Sequence, residues 1–154
     1  MQYTTQPSKK ILAVASGGGH WVQLLRLRPA FDAHYVEYVS TNAGYQNDVQ
    51  APFHVVTDAN MWQKIRLIRM FMEVAWVVVS RNPDVIVTTG AAPGFAAIMF
   101  GRMIGARTVW IDSIANSEDL SNSGKQARRW ATAWVTQWHH LSQDDGPEYW
   151  GSVL

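Results

Sequence analysis

The segment Ile11-Leu12-Ala13-Val14-Ala15-Ser16-Gly17-Gly18-Gly19-His20 decides the fold class of this chain. Its first five residues are apolar and β-prone, which predicts a short buried strand. Three glycines follow after Ser16, and residues 21–31 then carry apolar side chains at helical spacing. A strand joined to a helix by a tight turn is the first part of a βαβ unit, from which parallel sheets are built.

The rest of the chain repeats this alternation of short apolar runs and helical patterns. Strands are predicted at 35–39, 53–56, 84–89, 108–111 and 133–136, and further helices at 62–80, 95–104 and 125–131. Asn82-Pro83 ends the longest helix, because proline restricts the residue before it and has no N–H. We therefore expect one Rossmann-like α/β domain with a mostly parallel sheet at 10–154, after a flexible N-terminal arm at 1–9.

The composition narrows the classes of function. With 154 residues, 47% of them apolar, the chain fits one domain with a sizeable core. Only 16% of the residues are charged, which leaves surface to bury against a partner or a membrane. The formal net charge of +1 argues against nucleic acid as a partner.

Several kinds of site and segment are excluded by what the sequence lacks. The chain has no cysteine, so it forms neither disulfides nor thiolate metal sites, and this suits a reducing cytoplasm. It carries no metal-ligand triad and no cofactor motif, so we expect neither a metal nor a cofactor. The first residues are too polar for a signal peptide, and no run of 18 apolar residues predicts a transmembrane span.

The turn that begins at Ser16 follows a strand of the predicted parallel sheet, and ligands bind at the carboxyl ends of such strands. Glycines let the backbone approach a ligand closely, and the N-terminus of the next helix favours phosphate. Val22 stands where a dinucleotide fingerprint counted from Gly17 needs its last glycine, and no P-loop lysine follows. The turn is a candidate phosphate site, against the alternative of a tight βα turn without a ligand.

His20 stands at the start of the helix that follows this turn. An imidazole there is placed to act as a general base on a hydroxyl nucleophile. A histidine at a helix start can equally serve as a capping or local hydrogen-bonding group. The residues alone leave both roles open.

Two more loops follow predicted strands. Gly90 and Ala91 lie in a turn of small residues that could cradle a second phosphate or simply pack closely. The third loop begins at Asp112 and is unusually long, which often indicates function. Asp112 could orient a sugar hydroxyl or a histidine, and Ser121 and the amides near Gly124 could hold an anion. The alternative is a solvated loop in which Asn and Asp form turns.

The helix predicted at 62–80 combines a broad apolar surface with Arg66 and Arg69. A basic helix rich in aromatic side chains can lie on an anionic membrane. A helix that covers a sheet has a similar apolar pattern, and both interpretations hold if the two faces of the helix differ.

Six motifs, in this order, resemble the asparagine-linked-glycosylation protein 14 family and its bacterial PssD-like exopolysaccharide glycosyltransferase relatives. The matching stretches span nearly the whole chain and lie at 16–20, 83–90, 109–113, 120–125, 136–138 and 149–154. The chain is also similar to the N-terminal half of MurG-type enzymes, in which a Gly-Gly-His turn and a second glycine-rich turn face a lipid-linked acceptor.

This resemblance implies the N-terminal half of a GT-B glycosyltransferase whose second Rossmann-like domain is a separate, donor-binding chain. The pair would act as a hexosyltransferase, moving a sugar from a UDP-sugar to a polyprenyl-diphosphate-linked acceptor in polysaccharide or glycolipid biosynthesis. This chain would bind the acceptor and recruit its partner to the cytoplasmic face of the inner or endoplasmic-reticulum membrane, and would be inactive alone.

The resemblance also implies roles for individual residues. His20 would be the catalytic base, and Asp112 would orient the acceptor and support His20. The acceptor and its phosphates would contact Ser16, Gly17, Gly18, Gly19, Gly90, Ala91, Ser113, Ser121, Gly124 and Lys125. The C-terminal segment would dock on the partner through Tyr149, Trp150, Gly151, Val153 and Leu154. Two other functions stay open: a non-catalytic scaffold that activates a catalytic partner, and a stand-alone nucleotide-sugar enzyme of the epimerase type.

Overall fold

The structure, a computed structural model, describes residues 7–153, so Leu154 and most of the expected N-terminal arm lie outside the described residues. The strands are β1 (Lys10–Val14), β2 (Tyr35–Ser40), β3 (Phe53–Val55), β4 (Val85–Thr88), β5 (Arg107–Ile111), β6 (Ala133–Thr136) and β7 (Glu148–Tyr149). The α-helices are α1 (Gly19–Arg26), α2 (Lys64–Arg81), α3 (Ala91–Met103) and α4 (Asn122–Ala127).

The strands form one sheet in the order β3-β2-β1-β4-β5-β6-β7, and every neighbouring pair is parallel. The predicted single α/β domain with a parallel, Rossmann-like sheet is therefore confirmed. The strand order reverses between β1 and β4, which leaves a crevice at the carboxyl edge of these two strands. Ligands of open α/β sheets bind at such a switch point.

β1 shows why the first apolar run is continuous. Leu12 and Val14 pack in one core cluster, on the side of the sheet that α2 and α3 cover. Ile11 and Ala13 pack in a second cluster, with Trp21 of α1. Because both faces of the sheet are buried, a central strand is apolar at every position and does not alternate with polar residues.

The long helix α2 ends where the sequence predicts. Asn82 adopts the left-handed conformation with φ 46°, its N–H donates to the carbonyl of Val78, and Pro83 cannot extend the helix. The helix begins at Lys64, two residues later than predicted, because the Asn60 side chain accepts hydrogen bonds from N–H groups that precede the helix. Within residues 7–153, no helix is both long enough and apolar enough to cross a bilayer.

The bounds of three other predicted helices are wrong. α1 ends at Arg26 and a separate 3-10 turn follows at Arg28–Phe31, because Pro29 cannot donate the hydrogen bond that a continuing α-helix needs. α3 begins at Ala91 and not at 95, since its helical first turn is formed by small residues with no clear periodicity. α4 spans Asn122–Ala127 and not 125–131, because a capping serine starts it earlier.

Two short elements were not predicted from the sequence. A 3-10 helix at Ala43–Asp48 lies in the expected loop after β2, where the Asn42 side chain accepts a hydrogen bond from the Gly44 N–H. β7 has two exposed residues and pairs with β6 at the end of the sheet. Elements this short show no periodicity that a sequence pattern could reveal.

A buried carboxylate lies within β2. Glu37 is 1% exposed and accepts hydrogen bonds from the guanidinium of Arg81 at 2.6 and 2.8 Å and from His54 Nε2 at 2.7 Å. Burial raises the pKa of Glu37, but the hydrogen bonds from Arg81 and His54 outweigh burial and lower that pKa to about 2. The cluster ties the end of α2 to β2 and β3.

Candidate functional site

Two turns meet at the crevice between β1 and β4. The first turn, residues 16–19, leads from β1 into α1, and the second turn, residues 89–91, leads from β4 into α3. Thr89 Oγ1 donates a hydrogen bond to the main-chain carbonyl of His20 at 2.6 Å, and the His20 ring is hydrogen-bonded to the Thr89 carbonyl at 3.0 Å. The structure therefore brings the first two predicted loops together.

Two glycines of the first turn, Gly18 and Gly19, face open space, whereas a Cβ on Gly17 would lie 3.3 Å from the Tyr45 hydroxyl. Gly18 has φ 67°, in the left-handed region that favours glycine, and it directly precedes α1. Apart from its neighbours in the chain and the backbone of its own helix, a Cβ added at Gly18 or Gly19 would meet nothing of residues 7–153 within 4 Å. An incoming group therefore has room beside these glycines, at the N-terminus of α1.

Tyr45 supports the first turn, a role that was not predicted from the sequence. The Gly18 N–H donates to the Tyr45 hydroxyl at 2.9 Å, and the Tyr45 ring stacks on Trp21 with centroids 5.0 Å apart and planes at 4°. Tyr45 follows β2, which is the neighbour of β1 in the sheet. Its position beside the first turn thus depends on strand order, which the sequence does not state.

The second turn is more tightly packed than the first. Gly90 has φ 125°, and a Cβ added there would lie 3.1 Å from two ring atoms of His20. Ala91 has φ 65°, an uncommon and strained conformation for a residue with a side chain. Backbone strain of this kind clusters at functional sites, so Ala91 marks the second turn as a candidate site.

The hydrogen bond to Thr89 determines which nitrogen of His20 carries a proton. A carbonyl oxygen only accepts, so His20 Nδ1 is the donor to Thr89. In the neutral ring the lone pair is then on Nε2, which is what a general base requires. His20 is therefore an oriented histidine, and Thr89, which the sequence analysis did not single out, orients it.

Asp112 was predicted to support His20, but in the structure Asp112 has other partners. Asp112 is 1% exposed, and its carboxylate accepts hydrogen bonds from Trp110, Asn116 and the N–H and hydroxyl of Ser121 at 2.6–3.2 Å. The ring of His20 is instead held by a backbone carbonyl. Asp112 differs from the prediction because a buried carboxylate accepts hydrogen bonds from the donors of its own loop. Asp112 orders the third loop.

The third-loop residues differ in what they contact. Ser121 Oγ accepts from the Gly124 N–H at 2.9 Å and so caps α4. A Cβ on Gly124 would collide with Asp112, so this position requires glycine for packing. Lys125 is exposed and forms an ion pair with Asp119. Ser121 and Gly124 therefore have partners within the chain, whereas the Lys125 charge is at the surface.

Ser113 belongs to a buried network that the sequence analysis missed. Gln23 of α1 donates to Ser113 Oγ at 3.0 Å, and its Oε1 accepts from the Ile114 N–H and from Gln137 Nε2. Gln137 also donates to the main-chain carbonyl of Asp112 at 3.0 Å. These amides tie α1, the third loop and the end of β6 together. The available signal was a glutamine between the apolar residues of the first helix.

The C-terminal segment returns to its own domain. The Val153 N–H donates to the buried glutamine of this network at 2.9 Å, and the Val153 carbonyl accepts from an arginine of α1 at 3.0 Å. Tyr149 and Trp150 are exposed, and Gly151 has φ 105°. Leu154 lies outside the described residues. The two exposed aromatic rings are thus the part of the predicted docking segment that faces solvent.

The crevice combines groups suited to one kind of chemistry. It has an oriented histidine, an open backbone at the first turn and the N-termini of two helices, which favour anions. Within residues 7–153, no group of three histidine or acidic side chains is arranged to hold a metal ion. This arrangement can bind an anionic group beside a base.

Three solved structures identify the fold. MurG of Acinetobacter baumannii matches with a TM-score of 0.77 and 12% identity, over 95% of this chain and 46% of that chain. A UDP-N-acetylglucosamine 2-epimerase of Rickettsia bellii matches with a TM-score of 0.66 and 11% identity, over 87% of this chain and 40% of that chain. A glycosyltransferase of Rickettsia africae matches with a TM-score of 0.58 and 13% identity, over 80% of this chain and 34% of that chain. The chain has the fold of one half of a GT-B glycosyltransferase.

This half-GT-B fold explains the extent of the matches. The chain spans less than half the length of each of the three solved structures. Protein-family models and curated protein sequences give no match to it. At identities of 11–13% the similarity shows the fold alone. The finer resemblance to the asparagine-linked-glycosylation protein 14 family stays a prediction.

Proposed function

We propose that the chain is the acceptor-binding subunit of a two-chain glycosyltransferase, which moves a sugar from a UDP-sugar to a polyprenyl-diphosphate-linked acceptor. The observation that carries the proposal is the oriented His20 beside the open first turn, at the switch point of a half-GT-B fold. A second Rossmann-like chain binds the UDP-sugar and closes over the crevice. The sequence resemblance supports this division into two chains.

His20 acts as the base in this proposal. Its Nε2 takes the proton of the acceptor hydroxyl while that oxygen bonds to the anomeric carbon of the donor sugar. The bond from this carbon to the UDP oxygen breaks, and UDP leaves with the electron pair. The Thr89 carbonyl, which accepts from Nδ1, stabilises the ring as it becomes positive. General base catalysis typically contributes about 10²–10⁴-fold in rate.

The two turns bind the acceptor diphosphate in this proposal. The N-termini of α1 and α3 favour phosphate, and neither turn contains an acidic residue. Gly18 and Gly19 leave space for the ligand, and the strained Ala91 lies on its other side. Ser113 supports α1 through its hydrogen bond with Gln23, and Lys125, paired with Asp119, lies at the surface.

The membrane surface is the second partner that we propose. The outer face of α2 carries apolar side chains that are 60–85% exposed, namely Ile65, Ile68, Met72, Trp76 and Val79. Lys64, Arg66 and Arg69 are exposed on the same helix. An apolar stripe beside basic side chains suits the surface of an anionic bilayer, where the chain would meet its lipid-linked acceptor.

Vesicle sedimentation tests the membrane contact with a matched pair of variants. Met72 on the outer face of α2 and Met103 at the end of α3 are 68% and 67% exposed. We expect Met72→Asp to lower binding to vesicles of anionic phospholipid about tenfold, and Met103→Asp to leave it unchanged. Equal losses would show that the outer face of α2 does not meet the bilayer.

The sheet edge at β7 is the surface that we propose for the partner chain. β7 is the last strand of the sheet, and Tyr149 and Trp150 stand exposed there. Aromatic side chains at an exposed edge are typical of protein interfaces. The proposal places the docking contact at these two rings, with Gly151 and Val153 leading the chain back to α1.

Reconstitution tests the proposed function. The purified chain is combined with the donor-binding chain, a UDP-sugar and a polyprenyl-diphosphate-linked sugar, and the product is followed by mass spectrometry. We expect product from the pair and none from either chain alone. A non-catalytic scaffold predicts instead that the partner keeps activity alone and that His20→Ala leaves the turnover of the pair intact.

A stand-alone nucleotide-sugar enzyme is the second candidate, because the fold also matches half of a UDP-N-acetylglucosamine 2-epimerase. The isolated chain is incubated with UDP-N-acetylglucosamine, and the configuration at the sugar C2 is followed by NMR. Conversion by the chain alone would favour this candidate over the two-chain enzyme.

A further inference from the structure

A groove of about 430 Å³ lies between α2, α3 and α4. One wall is apolar and is formed by Leu67 and Phe71 of α2 and Phe95 of α3. The rings of Phe71 and Phe95 lie 6.4 Å apart. The volume falls within the range of small-molecule sites, which are mostly apolar with a few polar groups.

The groove opens beside the candidate site. α2 and α3 each follow a parallel strand, so both helices begin at the carboxyl edge of the sheet, where the two turns lie. The groove is lined by residues from the first half of each helix. Ala92, which comes directly after the second turn, is part of its lining. A molecule held at the second turn can therefore extend into the groove.

The other wall is polar, and basic side chains adjoin it. Ser123 and Lys125 of the α4 region line the groove, and an adjoining groove that shares Lys125 adds Arg128 and Arg129. Asp119 neutralises Lys125, whereas Arg128 and Arg129 pair with no carboxylate of residues 7–153, and no carboxylate of those residues lines either groove. The surface thus complements a molecule that is apolar along its length and anionic at one end.

We propose that this groove binds the first isoprenoid units of the acceptor, an inference that rests on the proposed function. The diphosphate lies at the second turn, and the chain runs along Leu67, Phe71 and Phe95 toward the N-terminal end of α2 and the membrane. The groove then selects acceptors by their lipid chain, separately from the sugar that is transferred.

Binding of prenyl diphosphates to the isolated chain, without donor or partner, tests the groove. The probes are farnesyl diphosphate, isopentenyl diphosphate and inorganic pyrophosphate, measured by calorimetry. The test variant is Phe95→Ala. The matched control is Phe100→Ala, because Phe100 is on the same helix and contacts the same Phe71 ring at 6.3 Å but does not line the groove.

We expect farnesyl diphosphate to bind at least tenfold more tightly than isopentenyl diphosphate. Phe95→Ala is expected to remove most of this difference and to leave pyrophosphate binding unchanged, whereas Phe100→Ala changes neither. Equal binding of the two prenyl diphosphates, or equal effects of the two variants, would overturn the proposal. The latter result would place the chain on another apolar surface, such as the outer face of α2.

The outcome is separable from that of the proposed function. If farnesyl diphosphate binds as expected and the reconstituted pair transfers no sugar, the transfer reaction is wrong and the prenyl site stands. If the pair transfers sugar equally well to acceptors with short and long prenyl chains, and Phe95→Ala does not alter that, the groove does not hold the chain.

Discussion

The two turns at the crevice differ in what their glycines face. In the first turn, a Cβ on Gly18 or Gly19 would meet nothing of residues 7–153 within 4 Å beyond its chain neighbours and the backbone of its own helix. At the second turn and the helix that follows it, a Cβ on Gly90 would press on His20, and one on Gly94 would collide with Thr88. Glycine thus has two uses: at the second turn it allows close packing within the chain, and at Gly18 and Gly19 of the first turn it leaves the exposed backbone open.

This difference gives the first turn the stronger claim to a ligand. Gly18 and Gly19 are exposed, so a ligand can approach their backbone closely, whereas a close-packed turn is explained by its neighbours. The second turn contributes through Thr89, which orients His20, and through the N-terminus of α3, which begins at Ala91.

The largest effect is expected from His20→Ala, because His20 links the two turns and is the proposed base. Turnover of the reconstituted pair should fall about 10²–10⁴-fold. The acceptor KM should change little, since the proposed diphosphate contacts come from backbone N–H groups. The measurement is steady-state kinetics with circular dichroism to verify the fold. Unchanged turnover would remove the catalytic role and favour the scaffold.

Gly94→Ala tests the close packing of the second turn, because Gly94 in α3 contacts Thr88 just before that turn. The added methyl collides with Thr88, whose Oγ1 accepts a hydrogen bond from the Gly90 N–H, so the second turn has to move. We expect the free energy of unfolding to fall by about 3 kcal/mol, as in an overpacked core. Urea denaturation measures this change. A loss below about 0.5 kcal/mol would mean that the second turn has more freedom than the structure shows.

Glu37→Gln tests whether the acid sensitivity of the fold arises outside the two turns. Neither turn contains a carboxyl group. The pKa of Glu37 is lowered from 4.5 to about 2, so its stabilising contribution is complete above pH 4.5 and is lost as the pH falls toward 2. Glu37→Gln should lower the free energy of unfolding by about 2 kcal/mol at pH 7 and flatten its dependence on pH below 4.5. Denaturation curves at several pH values provide the measurement, and an unchanged slope would contradict the assignment.

The smallest effect on stability is expected from Gly19→Ala, the counterpart of Gly94→Ala in the first turn. The methyl enters open space at the start of α1, where alanine favours the helix, so unfolding should change by less than about 1 kcal/mol. The acceptor KM should nevertheless rise about tenfold, because the methyl occupies the proposed ligand space. If both stability and KM stay unchanged, the open space of the first turn does not bind the acceptor.

Much of the fold could be predicted because its signals are local. The buried run of β1 is apolar at every position, and Asn82-Pro83 ends α2 by restricting the backbone itself. The short elements could not be predicted, because β7 has only two exposed residues and pairs through its backbone. The bounds of α3 shifted for a similar reason, since its first turn consists of small residues.

The candidate site was predicted in its parts and not in its contacts. The glycines of both turns and His20 follow strands, and parallel strands end at the same edge. The partner of His20 could not be predicted, because Thr89 lies 69 positions away along the chain and Asp112 was the more familiar kind of partner. Tyr45 and Gln23 were missed because their roles depend on which strands and helices are neighbours.

By itself, the sequence determined the longer elements, the parallel sheet and the positions of the glycine-rich turns, since these follow from residue pattern and backbone geometry. Tertiary structure alone decided that Thr89 orients His20 and that the Asp112 carboxylate accepts hydrogen bonds from its own loop. It also decided that Gly18 and Gly19 face open space. The reason is physical: hydrogen bonds and free space depend on distances between segments that are remote in the chain, and only the packed sheet sets those distances.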